Sequence, residues 1–114
     1  MSIKPLISWE DFEKLDIRTG TIIDALSFEK AEKPAYKIYI DLGDDIGIRK
    51  ASAQITDLYD RDDIIGNQVI CIINFPPKQI ADFTSECLIL GVYTEEGVVT
   101  LSTQEKTGNG LVIG

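Results

Sequence analysis

The chain has 114 residues, of which 44% are hydrophobic and 26% charged, and its formal net charge is −8. These values are typical of one globular domain with a single core, and they exclude a disordered chain. No apolar run reaches the roughly 18 to 20 residues that span a bilayer, and residues 1–5 lack the apolar stretch of a signal peptide. We therefore expect one cytoplasmic domain over residues 1–114.

The sequence offers little for catalysis. Histidine, the commonest general base, is absent, and no nucleophile elbow, phosphate loop or dinucleotide fingerprint occurs. Cys71 and Cys87 lie in apolar stretches, without the paired spacing that binds zinc, which predicts two buried, reduced thiols. We expect no enzymatic activity, no cofactor and no metal.

A short helix is predicted near the N-terminus. Ser8 and Asp11 have the spacing of a capping box, in which each side chain accepts a hydrogen bond from the other residue's backbone. The bulky residues that follow are Trp9, Phe12 and Leu15. A helix of about two turns is marginal on its own, so it must pack against its own domain or against a partner subunit.

From Asp16 the hydrophobic pattern changes to a period of two, which predicts a strand to Leu26 with a bend or bulge at Gly20. Further strands are predicted at residues 36–42, 46–51, 68–74, 87–94 and 98–103, the last two joined as a hairpin. Residues 53–66 fit a helical insertion whose aspartates form a solvated face. The order of elements predicts an all-β protein with short helices. We expect a five-stranded oligonucleotide-binding (OB-fold) barrel at 16–94, after a helix at 1–15 and before a hairpin and tail at 95–114.

The segment from Asn74 to Leu90 is the best candidate for a binding site. It places polar groups on a loop stiffened by two prolines, between two apolar strands, where a rigid scaffold commonly exposes a ligand site. Phe75, Ile80 and Phe83 are expected either to form the apolar wall of a groove or to belong to the core. The pattern fits a reader of nucleic acid or of peptide.

Several segments together resemble one family. They are Asp16-Ile17-Arg18-Thr19-Gly20-Thr21-Ile22, Pro34-Ala35-Tyr36-Lys37-Ile38, Asp41-Leu42-Gly43, Ser52-Ala53-Gln54-Ile55, Asn74-Phe75-Pro76-Pro77-Lys78 and Ser85-Glu86. In this order they are similar to the tRNA-binding-domain family. The segments at 52–55 and 75–77 resemble its CsaA branch of export-related chaperones.

The resemblance implies a homodimer of OB-fold barrels with a ligand groove near residues 74–86. The implied partners are unfolded or presecretory polypeptides, the secretion ATPase and, weakly, tRNA. The candidate ligand-binding residues are Asn74, Phe75, Lys78, Ser85, Glu86, Arg18, Lys37, Arg49, Ser52 and Gln54. The candidate dimer-interface residues are Trp9, Phe12 and Leu15.

Charge decides between the two ligands. RNA binding depends on lysine and arginine gathered into one field, but this chain has 11 basic against 19 acidic residues. Gln79 and Asp82 also stand where tRNA readers of the family have a basic residue and a glycine. We therefore favour a chaperone that binds polypeptide, with a preference for basic segments, over a tRNA-binding protein or synthetase module.

Two further alternatives remain open. The chain fits a dimerisation or scaffolding module without any groove ligand. For the site residues, Asn74 and Ser85 are equally suited to tying the loop to its own backbone, and Glu86 to pairing with Arg18 or Lys78.

Overall fold

The computed structural model describes residues 2–114 and confirms the predicted all-β class. Two short helices are present, α1 (Trp9–Glu13) and α2 (Arg61–Ile64). The strands are β1 (Ile17–Ser27), β2 (Tyr36–Asp41), β3 (Ile48–Ala53), β4 (Gln68–Ile72), β5 (Lys78–Ile80), β6 (Phe83–Ser85), β7 (Leu88–Ile89), β8 (Gly91–Thr94) and β9 (Gly97–Thr100). No helix within residues 2–114 is long and apolar enough to cross a membrane.

Five antiparallel strands form the barrel, in the order β3-β2-β1-β4-β7. The two edge strands, β3 and β7, approach each other and nearly close the sheet on itself. Two small hairpins, β5–β6 and β8–β9, lie outside this sheet. The predicted five-stranded OB-fold barrel with a C-terminal hairpin is therefore confirmed.

The sequence predicted a bend or bulge of β1 at Gly20, but the bulge lies at Ile23. Pairing with β2 shifts register between Ile22 and Asp24. The extra residue turns Ile23 outward, where it is 43% exposed, and brings Ala25 into the core. A single inserted residue reverses the faces of everything after it because the side-chain period of a strand is two.

The main core fills the barrel interior. Its largest fully buried side chains are Ile22, Ile38, Ile40, Leu42, Ile64, Val69 and Cys71. A second, smaller cluster lies outside the barrel and consists of Phe28, Ala35 and Phe83, with Ala31 and Ile80 packed against it. This second cluster attaches the β5–β6 hairpin to the loop between β1 and β2.

The predicted capping box is confirmed. Asp11 N donates to Ser8 Oγ and Ser8 N donates to Asp11 Oδ2, both at 3.2 Å. The helix is shorter than predicted, a little more than one turn, and it buries none of its residues. Its short length and exposure fit the expectation that it needs packing from elsewhere.

Three predicted boundaries were wrong. Strand β3 begins two residues later than expected because residues 43–47 form a turn, closed by Gly47 N donating to Gly43 O at 2.7 Å. The insertion after β3 contains only the single turn of α2, which stops before Gly66, whose φ is +94°. The predicted strand at 87–94 is divided between β7 and β8, which belong to different sheets.

The C-terminal segment runs along β1 and is held by Thr19. The buried Thr19 hydroxyl donates to Gly108 O at 2.8 Å and accepts from Leu111 N at 3.0 Å. Backbone bonds between Gly110 and Thr19 and between Ile113 and Ile17 extend this contact. Residues 108–113 are thus part of the fold and cover one side of β1.

Candidate functional site

The candidate site lies on the outer face of β3, where the β5–β6 hairpin packs over it. Because side chains alternate along a strand, Ala51 enters the core while Lys50 and Ser52 point outward. The sequence prediction treated residues 74–86 as a loop and missed this hairpin. Its two strands are three residues each, too short to give a clear alternating pattern.

Ser85 and Glu86 attach the hairpin to β3. Glu86 N donates to Lys50 O at 2.8 Å, and the Glu86 carboxylate accepts from Lys50 N at 3.1 Å. Ser85 Oγ accepts from Ser52 N at 3.1 Å. The Glu86 carboxylate thus satisfies a backbone donor of β3, and the alternative that it pairs with Arg18 or Lys78 does not hold.

A pair of aromatic rings packs against the hairpin, and the ammonium groups of two lysines lie over these rings. The rings of Phe28 and Phe83 lie 5.4 Å apart. Lys37 Nζ lies 4.9 Å from the centre of the Phe28 ring, and Lys50 Nζ lies 5.1 Å from that of Phe83. Cation–π attraction at these distances keeps both ammonium groups close to the hairpin.

An apolar cavity of about 300 Å³ opens between β3, the hairpin and β7. Apolar groups make most of its wall, and a few hydrogen-bonding groups are set among them, as is usual for ligand sites. It is lined by Ser52, Gln54, Phe75, Pro76, Lys78, Ile80, Ser85, Cys87 and Leu88. Phe75 and Leu88 are about half exposed, at 48% and 45%, so their apolar surface faces an incoming ligand.

A second cavity of about 530 Å³, which we call the lysine cavity, lies beside the apolar cavity and shares four lining residues with it. Its lining residues are Lys30, Ala31, Glu32, Lys33, Ala35, Ser52, Gln54, Lys78, Gln79, Ile80 and Ala81. Lys30 Nζ and Asp82 Oδ2 form an ion pair at 2.8 Å across its edge. This hydrogen bond raises the pKa of Lys30 and lowers that of Asp82.

The structure brings half of the predicted ligand-binding residues around the apolar cavity. These are Ser52, Gln54, Phe75, Lys78 and Ser85. Lys37 stands nearby over the aromatic pair, and Glu86 fixes the hairpin. Phe83 is buried in the second cluster, whereas Ile80 belongs to that cluster and also lines both cavities.

The other predicted residues act as braces in this structure. The Asn74 side chain accepts from Asp16 N at 2.9 Å and donates to Lys14 O at 2.7 Å, which ties the end of β4 to the N-terminal segment. Arg18 donates to Asp16 Oδ1 at 2.6 Å and to Gly110 O at 3.0 Å. Arg49 donates to Ile73 O at 2.9 Å.

Several lining residues were missing from the predicted site, among them Cys87, Leu88, Lys30 and Lys33. The first two follow the hairpin directly and were assigned to a core strand. The two lysines lie in the charged loop before Pro34, which the sequence presents only as a solvated connection. Their pattern of Lys-x-x-Lys was the one available signal.

Cys71 and Cys87 are both buried and free, as predicted. A hydrogen bond between the two sulfur groups raises the pKa of Cys71, and burial raises it further. The same hydrogen bond lowers the pKa of Cys87. The proton therefore stays on Cys71, whose thiol is a poor nucleophile at neutral pH.

The residues predicted for a dimer interface are largely uncovered. Trp9 is 81% exposed, Leu15 is 39% exposed and Phe12 is half buried. Trp9 and Phe12 contact each other edge to face, with ring centres 6.5 Å apart. Upstream of them, Ile3 and Leu6 are 98% and 100% exposed.

The OB-fold barrel with a groove on its outer face is the architecture of a ligand-binding domain. A family model described as "Putative tRNA binding domain" matches residues 17–111, and the chain belongs to that family. It is 32% identical to the methionine–tRNA ligase of Methanococcoides burtonii over 111 residues, 96% of this chain but only 16% of the ligase. The chain thus spans about a sixth of the length of the curated relatives it matches.

Within the family the structure is of the CsaA type. It superimposes on the crystal structure of the CsaA chaperone protein from Picrophilus torridus with a TM-score of 0.92 and 46% identity. Its superposition on the chaperone CsaA from Bacillus anthracis has a TM-score of 0.90 and 41% identity. Both alignments cover 96% of this chain and 100% of the other. The predicted resemblance is confirmed.

Proposed function

We propose that the chain is a homodimeric chaperone of the CsaA type that binds unfolded or export-destined polypeptides through the groove on the outer face of β3. The observation that carries the proposal is the apolar cavity, in which aromatic and aliphatic groups surround a few hydrogen-bonding side chains. An apolar side chain of an extended polypeptide fits such a cavity, and its backbone can bond to the polar groups beside it. The two solved structures described as chaperones support the same choice.

The proposed dimer rests on the exposed apolar groups before β1. Ile3, Leu6 and Trp9 are each more than four-fifths exposed, and no residue of the short helix α1 is fully buried. Apolar surface of this kind is normally covered by a partner. We propose a second copy of this chain as that partner, the secretion ATPase as a transient one, and the cytoplasm as the place of action.

Binding of tRNA is the second candidate, because the family model carries that description and five lysines lie around the hairpin. The net charge of −8 disfavours it, because the long-range field of an acidic protein repels a polyanion such as RNA.

The decisive experiment compares the two ligands directly. Fluorescence anisotropy with a labelled unfolded presecretory protein and with labelled tRNA, each at low and at physiological ionic strength, should give binding of the polypeptide that changes little with salt. Tight, steeply salt-dependent tRNA binding without any polypeptide signal would refute the chaperone proposal.

A substitution locates the site. Phe75→Ala should weaken polypeptide binding about five- to thirtyfold, because truncating a central aromatic anchor typically costs ~1–2 kcal/mol. Tyr93→Ala is the matched control, since it removes an exposed aromatic ring from the separate β8–β9 hairpin. Equal losses in both variants, or none in Phe75→Ala, would place the polypeptide elsewhere.

A further inference from the structure

The two cavities adjoin each other. Ser52, Gln54, Lys78 and Ile80 line both of them, so an extended ligand in the apolar cavity reaches the lysine cavity by passing Lys78. We call the whole the two-part groove. An extended chain that anchors an apolar side chain in one part therefore presents its neighbouring residues to the other.

The lysine cavity has the opposite charge to the protein around it. Three lysines and one glutamate line it, although the chain as a whole carries −8. Lys30 is neutralised by Asp82 at 2.8 Å. Among residues 2–114, no carboxylate forms an ion pair with Lys33 or Lys78, so their charges remain available to a ligand.

Local charge governs a ligand held in this cavity. At physiological ionic strength the screening length is about 8 Å, so acidic groups farther away than this act weakly on a bound segment. Lys37 and Lys50 add positive charge beside the hairpin, over the Phe28–Phe83 pair. The expectation that the net negative charge selects basic segments does not fit this arrangement.

We propose that the two-part groove selects polypeptide segments in which an apolar side chain lies next to a carboxylate. The apolar side chain occupies the cavity beside Phe75, and the carboxylate lies between Lys33 and Lys78. The carboxylate belongs either to an aspartate or glutamate side chain or to the C-terminus of the polypeptide. This inference rests on the proposed function and names the substrate class of the same site.

The test uses short labelled peptides with one apolar sequence. Three are amidated: one is neutral, one carries an internal glutamate, and one carries a lysine at that position. The fourth has the side chains of the neutral peptide and a free C-terminus, which adds one carboxylate. The glutamate peptide should bind about three- to tenfold more tightly than the neutral one, and more so at low salt. A matching gain for the free C-terminus would identify the terminal carboxylate as a second accepted source.

Matched variants of the full chain test whether the preference for glutamate depends on the lysine cavity. Lys33→Gln should remove about half or more of the preference for glutamate over the neutral peptide, because Lys33 lines the lysine cavity and not the apolar one. Lys106→Gln is the control, since it changes charge equally on the exposed segment that crosses the start of β4. A preference that survives Lys33→Gln would overturn the proposed position of the carboxylate.

The outcomes separate this inference from the proposed function. Equal binding of all four peptides, or tighter binding of the lysine peptide, would overturn the acidic preference while leaving the chaperone proposal intact. Failure of every peptide to bind would refute both. A short oligonucleotide that binds, and is released by Lys33→Gln when no peptide binds, would assign the lysine cavity to phosphates and overturn the inference.

Discussion

At Gly20, β1 packs tightly against the side chains of Ile40 and Leu42. A β-carbon at this position would lie 2.6 Å from Ile40 Cγ2 and 2.8 Å from Leu42 Cδ2, both fully buried. The residue therefore serves close packing and not the bulge that the sequence suggested. A glycine inside a strand is compatible with both readings, so only the contacts distinguish them.

Gly20→Ala should lower the free energy of unfolding by about 1–3 kcal/mol, because the added methyl overpacks the core and the two buried side chains have little room to move. Urea denaturation checks it. Gly108→Ala is a suitable control, since its β-carbon would meet only Leu111 Cδ1, at 3.9 Å. Equal stability of both variants would mean that the barrel tolerates the methyl by shifting β1.

The β5–β6 hairpin is the element that creates the groove, and it is held at three places. Ser85 and Glu86 bond it to β3, Phe83 packs on Phe28, and Asp82 at its tip pairs with Lys30. The first two contacts are sheltered, whereas the ion pair is exposed. The tip is therefore the part of the hairpin that solution conditions can loosen.

The charge state of Asp82 should control the tip of the hairpin. Its pKa is lowered by the hydrogen bond from Lys30, so the tether is complete above the ordinary pKa of 3.8 and is lost as the pH falls through the lowered value. The pKa of Lys30 is raised above 10.5, so the tether is also lost as the pH rises through that raised value. Between these limits it should not vary with pH.

A carboxyl titration by NMR measures this prediction. The Asp82 midpoint should lie below 3.8 in the native chain and return towards it in Lys30→Gln. Lys33→Gln changes the same charge on the same loop without removing the hydrogen-bond partner, so it should shift the midpoint less. A native midpoint at the ordinary value would contradict the tether. Global stability should barely change in either variant, because exposed ion pairs contribute little.

At the scale of the whole molecule, the buried apolar groups and the most exposed ones lie in different parts of the chain. The barrel interior and the second cluster are closed, whereas the segment before β1 leaves Ile3, Leu6 and Trp9 almost fully exposed. Asn74 links that segment to the end of β4, one residue before Phe75 in the groove. Asn74 therefore links the segment of the proposed dimer interface to the groove.

Deleting residues 1–14 should shift the proposed dimer towards monomer, because the deletion removes the exposed apolar groups that a second copy would cover. Sedimentation over a range of protein concentrations measures the shift. The pair Leu6→Ser and Trp9→Ser tests the same point with the Asn74 brace intact. Leu58→Ser is the control, since it removes a 43%-exposed side chain from another part of the surface. A truncated chain that remains dimeric would exclude this segment from the interface.

The sequence by itself determined the class of fold and the capping of α1, and it singled out the segment that carries the candidate site. Each depends on short-range patterns: the period-two alternation, the Ser8–Asp11 spacing, and the polar residues grouped around Pro76 and Pro77. The family resemblance was readable for the same reason, because its motifs are contiguous.

Only the tertiary structure decided the position of the bulge, the hairpin within residues 74–86 and the lysine cavity. Lys33 and Lys78 are 45 positions apart along the chain, and they line one cavity because the Phe28–Phe83 contact brings the hairpin against the loop between β1 and β2. The net charge of −8 is a sum over the chain and carries no information about where like charges meet. Packing alone gathers lysines on one face of an acidic protein.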